Sequence, residues 1–446
     1  MRDILKSLYF IIITSSVFGE NIDLSLEWQL NEDYHLSDEL GNIVNNNISD
    51  LPNMKGFMII QSGEIIFEDY YNGSFENENY NIYSVTKSFV STLIGQMSSM
   101  SMIPDIDSSM SHFFPDSFLI EANYLEDFTL INALTMSTGY IEGYPDFWWD
   151  YVNTMDLLTM DHTNPGTFFY NNSACHINSH VIFYNSGLTP YFFASNYLFP
   201  FLGIQEPWWF YGNTLGINDG SANLYLNLRK MVKLGQLYLQ NGYSGEIQIL
   251  GSEWIEDATS PQIEVGNQLL WPELSDYGYL WWLPEYEGAY LAYGYGGQYI
   301  AVIPQYNLVI GSHSSDNGPD EAYSHADNLR NIIFSEILPF FENDSLSIDL
   351  DLHPEEIQIE QNYPNPFNPT TTLEYHLFRD SFVDISVYDM LGNKIKSLVH
   401  KNQISGSKSV QWNATNSQGE PVSAGVYLYK IQANSFSQTK KMILIK

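Results

Sequence analysis

The feature that most constrains this chain is a Ser-x-x-Lys motif, formed by Ser84 and Lys87, at the start of a predicted helix. Residues three apart lie on one face of a helix, about one turn from each other. The apolar residues that follow are spaced to bury the opposite face: Phe89, Val90, Leu93 and Ile94. We therefore predict a helix that begins near Ser84 and holds a hydroxyl and an amine side by side.

This pair of side chains suits nucleophilic catalysis. A hydroxyl at the N-terminus of a helix lies at the positive end of the helix macrodipole, which stabilises a developing oxyanion. A buried lysine can lose its proton near neutral pH and can then accept the proton of the serine. Because a short motif of two common residues often arises by chance, an ordinary helix start is the alternative at this point.

The composition limits the partners of the chain. Its 446 residues are enough for two or three domains, and 17 Lys and Arg against 53 Asp and Glu give a formal net charge of −36. Such a charge disfavours nucleic acid and anionic membrane surfaces. We attribute it to solubility in a salty exterior rather than to substrate steering. Between Glu20 and Asp351 the basic residues are Lys55, Lys87, Arg229, Lys230, Lys233 and Arg330.

The N-terminus has the pattern of an export signal. Arg2 and Lys6 give a basic start, and an apolar core at residues 8–18 precedes a small-residue cleavage pattern. We predict a signal peptide at residues 1–19, with the mature protein beginning near Glu20. The apolar run is too short for a good membrane span, and no later run is long enough. The mature protein is therefore expected to be exported and soluble.

A second stretch with chemical potential contains Tyr170 and Asn172, ahead of a helix predicted around residues 173–183. A phenol beside a lysine ammonium can shuttle a proton between a nucleophile and a leaving group. The Asn172 amide can both donate and accept, so it can bind Lys87 and a substrate carbonyl. The alternative is that Tyr170 is simply packed, as most tyrosines are.

Two hairpins are predicted, one on each side of these motifs. The first joins Gly56–Gln61 to Glu64–Tyr70 through a tight glycine turn. The second joins the glycine-containing stretch Ala292–Ile303 to Leu308–Gly311. Glycines beside a strand allow a ligand to approach the backbone closely, so substrate is expected along this strand. Its candidate binding residues are Tyr295, Gly296, Gly297 and Gln298.

Other side chains are weaker candidates. Aromatic residues cluster at 147–149, 208–211 and 281–282. They can be either buried core residues or the wall of a pocket, and the sequence leaves both interpretations open. His176 and His180 are four apart, but without an His-Glu-x-x-His arrangement we interpret them as packed or surface histidines. Cys175 is predicted to be a small buried residue, and as the single cysteine it excludes an intrachain disulfide. We predict no metal and no cofactor.

The chain changes character after Asp351. A linker at residues 351–361 leads to a proline-rich entry and to alternating strands separated by glycine turns. Period-2 strands at this spacing predict a small all-β sandwich over residues 362–446. By itself such a domain is also compatible with a binding module. The strands are expected at 371–376, 382–388, 410–412, 425–431 and 440–445.

The three stretches, in this order, resemble the serine β-lactamase and penicillin-binding superfamily. The likeness is greatest to its class C-like branch, with esterases, D-aminopeptidases and 6-aminohexanoate-dimer hydrolases, and spans roughly residues 53–340. It extends to Leu134–Gly139, Leu234–Tyr238 and Tyr277–Trp282. The resemblance implies an α/β (α+β) β-lactamase-like fold at residues 20–350, with an antiparallel sheet flanked by helices and a mostly helical subdomain.

The resemblance also implies roles for the motif residues. Ser84 looks like the acylated nucleophile, Lys87 like its partner in proton transfer, Tyr170 like the general base or acid, and Asn172 like its companion. The oxyanion hole of the family would be formed by the N–H groups of Ser84 and Gln298.

One position departs from the family pattern. The Tyr295-Gly296-Gly297 stretch falls where lactamases carry Lys-Thr-Gly and many esterase-like members carry His-x-Gly. Penicillin-binding proteins use a cation there to hold the substrate carboxylate, whereas Tyr295 is neutral. We therefore expect neutral or cationic esters and amides as substrates, with a true β-lactamase or a D-aminopeptidase as alternatives.

The C-terminal region resembles the sorting domain of type IX secretion cargo. The resemblance rests on the Asn-Tyr-Pro-Asn-Pro-Phe-Asn-Pro entry at 362–369, the Tyr-Asp-Met-Leu-Gly-Asn turn at 388–393 and Ala-Gly-Val-Tyr-Leu-Tyr-Lys at 424–430. It implies passage through the periplasm and across the outer membrane by the type IX machinery. The domain is then usually cleaved off or exchanged for a surface anchor.

Three functions follow from these patterns. The first is a secreted hydrolase that cleaves an ester or amide through an acyl-enzyme. The second is a catalytically silent relative that senses an acyl ligand. The third is a surface adhesin in which the C-terminal sandwich is the active part. The presence of Ser84, Lys87 and Tyr170 together favours the enzyme.

Overall fold

The structure is a computed structural model of the whole chain. It describes residues 21–445 except for 32–33, 35, 117–122, 140–164, 212–215, 267–273, 287, 317, 343–356, 360–361, 363, 378–380, 390–392, 405 and 434–435. The predicted signal peptide, most of the predicted linker and the aromatic residues 147–149 lie outside the described residues. The chain divides into two compact units, Met1–Phe341 and Glu342–Lys446.

The first unit is organised around a large sheet. In its described ranges, nine strands are hydrogen-bonded in the order β1-β3-β2-β14-β13-β12-β11-β10-β9. All neighbouring pairs are antiparallel except β1 with β3, which are parallel. The strands of the first unit are β1 Gln29–Leu30, β2 Met54–Gln61, β3 Glu64–Tyr70, β4 Tyr80–Asn81, β5 Trp208–Trp209, β6 Leu224–Leu226, β7 Tyr243–Ser244, β8 Ile247–Gln248, β9 Ile263–Glu264, β10 Leu274–Tyr277, β11 Trp282–Pro284, β12 Tyr290–Gly294, β13 Gln298–Ile303 and β14 Leu308–Ser314.

Helices pack against this sheet through an extensive apolar core. The buried residues of β2, β13 and β14 belong to one cluster with those of the helix that follows Ser84. The α-helices described in the first unit are α1 Asp38–Asn42, α2 Val85–Ser99, α3 Leu130–Leu134, α4 Asn172–Ser186, α5 Pro190–Tyr197, α6 Leu228–Met231, α7 Lys233–Leu239, α8 Ser252–Ala258 and α9 Pro319–Asn331. The predicted class, a sheet flanked by helices, is confirmed, with one parallel pair in the sheet.

Local sequence explains the elements next to Ser84. Helix α2 begins directly after Ser84 and buries the predicted apolar face, but every residue from Val85 to Met97 is buried, so its polar face is enclosed as well. The first predicted hairpin is β2–β3. The second predicted hairpin is β13–β14, joined through the turn at Pro304–Tyr306. A further turn was not predicted, because Gly296 and Gly297 have φ values of 78° and 95° and turn the chain between β12 and β13. The stretch Ala292–Ile303 is therefore itself a hairpin.

The second unit contains two antiparallel sheets in its described residues. One has the order β15-β16-β19 and the other β18-β17-β20-β21. Buried side chains from both sheets, among them Leu373, Ile385, Trp412 and Tyr429, form one core. The strands are β15 Ile357–Ile359, β16 Thr371–Leu377, β17 Ser381–Tyr388, β18 Lys394–Gln403, β19 Gly406–Trp412, β20 Gly425–Ala433 and β21 Phe436–Leu444.

The strands predicted for this unit are present, and two more were missed. Strand β18 is exposed along most of its length and rich in lysine, so its sequence lacks a period-2 apolar pattern. The short strand β15 was also missed. In the described part of both units, none of the helices combines the length and the apolar character that crossing a bilayer requires.

Candidate active site

The N-terminus of α2 brings the first two candidate residues together. Ser84 immediately precedes the helix, and its side chain does not cap it. Instead, Lys87 Nζ donates a hydrogen bond of 2.8 Å to Ser84 Oγ. The predicted hydroxyl–amine pair is therefore present, one helical turn apart, at the positive end of the α2 dipole.

Lys87 is held by three acceptors at the same distance. Its Nζ lies 2.8 Å from Ser84 Oγ, from Asn172 Oδ1 and from the carbonyl oxygen of Ser221. An ammonium group has three N–H donors and no acceptor, so these three partners satisfy it completely. The side chain is 1% exposed, which means that the charge is compensated by these contacts rather than by water.

The surroundings of Lys87 favour its ammonium form, which differs from the expectation that it loses its proton near neutral pH. Burial alone would lower the pKa of Lys87, but its interactions with Tyr170, Cys175 and Asp219 outweigh burial. The pKa of Lys87 is therefore raised. Together with the three acceptors, this makes Lys87 an ammonium donor to Ser84 rather than the base that deprotonates it.

Tyr170 and Asn172 reach this amine from the start of α4. Lys87 Nζ lies 5.0 Å from the centroid of the Tyr170 ring. That ring stacks on Trp282, with centroids 5.4 Å apart and planes at 21°, so its orientation is fixed by the core. Tyr170, Asn172 and Ser84 are each half-buried, whereas Lys87 is fully buried. The four predicted residues thus form one cluster, with the amine at its base.

A loop that the sequence interpretation missed completes the cluster. Asp219, which is 1% exposed, accepts hydrogen bonds from the N–H and the hydroxyl of Ser221, at 2.8 and 2.7 Å, and from Asn223 at 2.7 Å. These bonds orient the Ser221 carbonyl toward Lys87. Burial raises the pKa of Asp219, against the effect of these hydrogen bonds. No motif in the sequence distinguished this loop, since its contribution to the cluster is a backbone carbonyl.

Helix α4 supports the same loop from behind. The N–H of Gly220 donates to His176 Nδ1 at 3.0 Å, so this ring nitrogen is an acceptor. Burial lowers the pKa of His176 to about 4 and, together with His176, that of His180 to about 3. The two rings pack edge to face, with centroids 5.0 Å apart. Cys175 is buried, as predicted, and its thiol donates to the Gly220 carbonyl.

In the ranges that the structure describes, His, Cys, Asp and Glu side chains form no group of three or more that could hold a metal ion.

The β12–β13 hairpin meets the nucleophile at Gly294. A Cβ atom built on Gly294 would overlap the Ile82 carbonyl and lie 3.3 Å from the Ser84 nitrogen, so only glycine fits there. Gln298 lies opposite Gly294 in the next strand. Its side chain is fully buried and donates to the Ser314 carbonyl at 2.7 Å. The side chain of Gln298 is therefore engaged with Ser314. The assignment of its backbone N–H as an oxyanion donor is a separate point, and it stays a prediction.

The turn of this hairpin contributes mainly Tyr295 to the surface. Gly296 and Gly297 are buried, whereas Tyr295 is half-buried. The Tyr295 ring packs edge to face against Tyr83, the residue before the nucleophile, with centroids 5.4 Å apart. Of the other aromatic clusters, Trp281 and Trp282 are core residues, while Trp208, Phe210 and Tyr211 are exposed.

With this geometry, the sequence family of the first unit is clear. Residues 52–333 match the family model "Beta-lactamase", which covers more than half of the chain, and the chain belongs to this family of hydrolases. Residues 361–446 match the "Secretion system C-terminal sorting domain". The second unit is therefore a sorting domain, and it directs the protein to secretion or to the cell surface.

Solved structures support the fold assignment. A 6-aminohexanoate-dimer hydrolase-like protein from Bacillus anthracis is 22% identical, with a TM-score of 0.56, covering 76% of this chain and 91% of that chain. A class C beta-lactamase from Rhodobacter sphaeroides is 16% identical, with a TM-score of 0.50, covering 67% and 99%. EstCE1, a hydrolase with promiscuous acyltransferase activity, is 12% identical, with a TM-score of 0.53, covering 65% and 98%. At these identities the likeness concerns the fold. No curated protein is similar enough in sequence to count as a relative.

Proposed function

We propose that this protein is a secreted serine hydrolase that cleaves an ester or amide bond through an acyl-enzyme on Ser84. The observation that carries the proposal is the contact of Lys87 Nζ with both Ser84 Oγ and Asn172 Oδ1, beside the Tyr170 ring. A nucleophile and proton-transfer groups within hydrogen-bonding reach are the geometric requirement for covalent catalysis.

In acylation, Ser84 Oγ attacks the substrate carbonyl carbon while Tyr170 acts as the general base and takes the proton of Ser84. The ammonium of Lys87 lies beside the Tyr170 ring and donates a hydrogen bond to Ser84 Oγ. When the tetrahedral intermediate collapses, the bond to the leaving oxygen or nitrogen breaks, and Tyr170 returns the proton to the leaving group. In deacylation, water gives a proton to Tyr170 and attacks the carbonyl carbon of the acyl-enzyme. When this second tetrahedral intermediate collapses, the bond between that carbon and Ser84 Oγ breaks, Tyr170 returns the proton to Ser84 Oγ, and the carboxylic acid product leaves.

The negative charge of the tetrahedral intermediate needs donors that are already oriented. The Ser84 N–H lies at the N-terminus of α2 and against Gly294. A second N–H is proposed from the Gly294–Gln298 hairpin, with Gln298 as the candidate. Two such donors in a partly buried site lower the barrier by several kcal/mol, since removing one typically costs about 2.7–4 kcal/mol.

The substrate side of the proposal rests on Tyr295. At the position where Lys-Thr-Gly lactamases carry a lysine, this chain has a half-buried phenol. Without that cation, binding of a carboxylate is weak, and the anionic domain adds repulsion. Neutral or cationic esters and amides are therefore the proposed substrates, rather than β-lactams. Two of the solved neighbours are named as a 6-aminohexanoate-dimer hydrolase and as a hydrolase with promiscuous acyltransferase activity, and both names are compatible with ester or amide substrates.

Turnover of p-nitrophenyl butyrate by the full chain tests the proposal. Wild-type protein is expected to release p-nitrophenol in a steady state, and Ser84→Ala is expected to lose this activity. Ser98→Ala, at the exposed far end of α2, serves as the matched control and should retain it. A single burst that leaves a stable acyl-enzyme would instead indicate an acyl-ligand sensor. Steady turnover by Ser84→Ala would refute the proposal.

A further inference from the structure

Three tyrosine rings lie in a row at the edge of the site. The Tyr83 and Tyr295 rings have centroids 5.4 Å apart, and Tyr295 and Tyr323 have centroids 5.5 Å apart at an interplanar angle of 88°. Tyr83 and Tyr295 are half-buried and Tyr323 is 42% exposed, so the row reaches solvent. We call Tyr83, Tyr295 and Tyr323 the tyrosine row.

The tyrosine row adjoins the nucleophile. Tyr83 precedes Ser84 in the chain, and Tyr295 follows Gly294, the residue that packs against the Ser84 nitrogen. Tyr83 has a φ of 46°, a left-handed conformation that a bulky residue rarely adopts, and its N–H is held by Asn81 Oδ1 at 2.9 Å. Strained backbone of this kind is typical of functional positions, and here it fixes the direction of the first ring.

A single carboxylate accompanies the tyrosine row. Asp316 is exposed and accepts a hydrogen bond of 3.1 Å from the Tyr83 hydroxyl and one of 2.9 Å from the Gly318 N–H. Burial and the charge of Asp316 raise the pKa of Tyr83, so its ring remains a neutral phenol. The Tyr83 hydroxyl thus connects the Asp316 carboxylate with the tyrosine row.

No cation among the described residues neutralises this carboxylate. The ion pairs of the first unit lie elsewhere, with Arg229 bound to Glu68 and Glu76 and Arg330 to Asp327. The remaining lysines whose contacts are described donate to oxygens away from Asp316: Lys55 to Asn72, Lys87 to its three acceptors, and Lys233 to Leu24 and Leu26.

We infer that the tyrosine row and Asp316 form a subsite for an ammonium group of the substrate. Aromatic faces attract a cation that lies within about 6 Å of the ring centroid. A nearby carboxylate adds direct attraction, and the anionic surface of the domain raises the local concentration of cations. The inference deepens the proposed function and rests on it for the scissile bond: the substrate is an ester or amide that carries a quaternary or primary ammonium group.

Binding of choline to the full wild-type chain tests the subsite without chemistry, because choline is an alcohol and has no bond to cleave. Its control ligand is the uncharged isostere in which carbon replaces the nitrogen. By calorimetric titration, choline is expected to bind at least about tenfold more tightly than the isostere, which corresponds to ~1.4 kcal/mol. Equal affinities, or binding of neither ligand, would overturn the inference.

Two variants test whether the preference for choline over its isostere depends on Asp316. Asp316→Asn removes the charge with little change of shape, and the affinity ratio of choline to isostere should fall at least about threefold, while the rings retain part of the preference. Asp105→Asn makes the same charge change beyond the far end of α2, a 15-residue helix about 22 Å long, and should leave the ratio unchanged. An unchanged ratio in Asp316→Asn would contradict the subsite. If that variant does not fold, Tyr323→Leu at the surface is expected to reduce the ratio about threefold, and an unchanged ratio there would contradict it equally.

Turnover then separates the inference from the proposed function. Two ester pairs are compared by kcat/KM, one with the ammonium in the acyl chain and one with it in the leaving alcohol, each against its uncharged isostere. A preference for the cation in either pair that is reduced in Asp316→Asn supports the subsite and shows on which side of the scissile bond it lies. Turnover without preference in both pairs refutes the subsite but retains the hydrolase. Choline binding without turnover of any ester refutes the hydrolase.

Discussion

The two units of this protein bury different kinds of side chain. The first buries ionisable groups next to one another, including Lys87, Asp219 and His176. In the described residues of the second unit, the buried polar side chains are uncharged: Asn362, Thr371, Ser381 and Ser386. Burying a charge is costly unless it is paired and hydrogen-bonded. The difference indicates that the first unit retains unfavourable groups for chemistry, whereas the sorting domain is built for stability and recognition by the export machinery.

The distribution of cations follows the same division. Six Lys and Arg lie between Glu20 and Asp351, and nine lie after Pro354. In the first unit, Lys87 is fully buried and has a defined set of partners. In the second unit, Lys401 is exposed on β18. The proposed function gives Lys87 a chemical role, whereas Lys401 has the exposure of a solubilising residue, and the following experiments test that contrast.

The largest effect is expected for Lys87→Met. Loss of the ammonium removes a donor to Ser84 and the positive charge beside Tyr170, so kcat/KM for an ester should fall about 10³-fold or more. The measurement is p-nitrophenyl ester turnover, with circular dichroism to show that the variant is folded. The matched variant Lys401→Met should keep full activity and change stability by less than about 0.5 kcal/mol. Comparable loss in both variants would remove the distinction between the two lysines.

Tyr170→Phe is expected to reduce kcat about 10²- to 10⁴-fold, because it removes the proton-transfer group while the ring can still stack on Trp282. Steady-state kinetics measure this loss. Its counterpart is Tyr375→Phe in the sorting domain, whose hydroxyl donates to Gln403 at 2.8 Å. That variant should keep kcat and lose only about 1 kcal/mol of stability. A Tyr170→Phe enzyme with wild-type kcat would exclude the phenol from proton transfer.

Acid should destabilise the first unit before the second. Burial lowers the pKa of His176, His313 and His325 to about 4, and burial together with His176 lowers that of His180 to about 3. Histidine in the unfolded chain has a pKa of about 6.5, so between pH 6.5 and 4 the unfolded chain binds more protons. Stability therefore falls as the pH falls through this window, by about 2 kcal/mol per buried histidine at pH 5.

The sorting domain should respond only at lower pH. Burial opposes the ionisation of Asp384, but hydrogen bonds from Ser386 and His400 outweigh it and lower its pKa. The stability that Asp384 contributes is present above its unfolded pKa of about 3.9 and is lost as the pH falls through the folded value. Scanning calorimetry at pH 7 and pH 5 should show one transition that shifts downward and one that does not. Equal shifts of both transitions would contradict the comparison.

The smallest expected effect on catalysis is that of removing the sorting domain. A chain that ends at residue 354 should keep kcat/KM within about twofold, because the residues of the cluster all lie in the first unit. The same truncation should abolish export, which cell fractionation measures. As the reciprocal control, full-length Ser84→Ala should be exported normally. Loss of activity on truncation would instead favour a working role for the C-terminal sandwich.

Much of the fold was predictable from patterns that short-range physics controls. The apolar spacing after Ser84 predicted α2, and alternating residues predicted β2, β3 and most strands of the sorting domain. Strand β18 was missed because its exposed, lysine-rich sequence has no apolar face to detect. The turn at Gly296 was missed because the glycines were interpreted as places of close approach, which Gly294 alone provides at Ser84.

The site was predictable where a side chain provides the chemistry. Ser84, Lys87, Tyr170 and Asn172 stand out by residue type and meet in the structure. The Ser221 carbonyl did not stand out, because any residue has one, and its orientation depends on Asp219 two positions earlier. The contacts that favour the ammonium form of Lys87 were not predicted, for a related reason. The burial of Lys87 could be inferred from the apolar pattern of its helix. The three acceptors that compensate its charge could not, because they come from different parts of the chain.

Covalent labelling of Ser84 tests the central claim most directly. A fluorophosphonate forms a stable bond with an activated serine, and peptide mass spectrometry identifies the residue that carries it. We expect wild-type protein to be labelled at Ser84 in step with the loss of esterase activity, and Lys87→Met to be labelled far more slowly. Full inactivation with the label on another residue, or activity that persists while Ser84 is fully labelled, would contradict the assignment of Ser84 as the nucleophile.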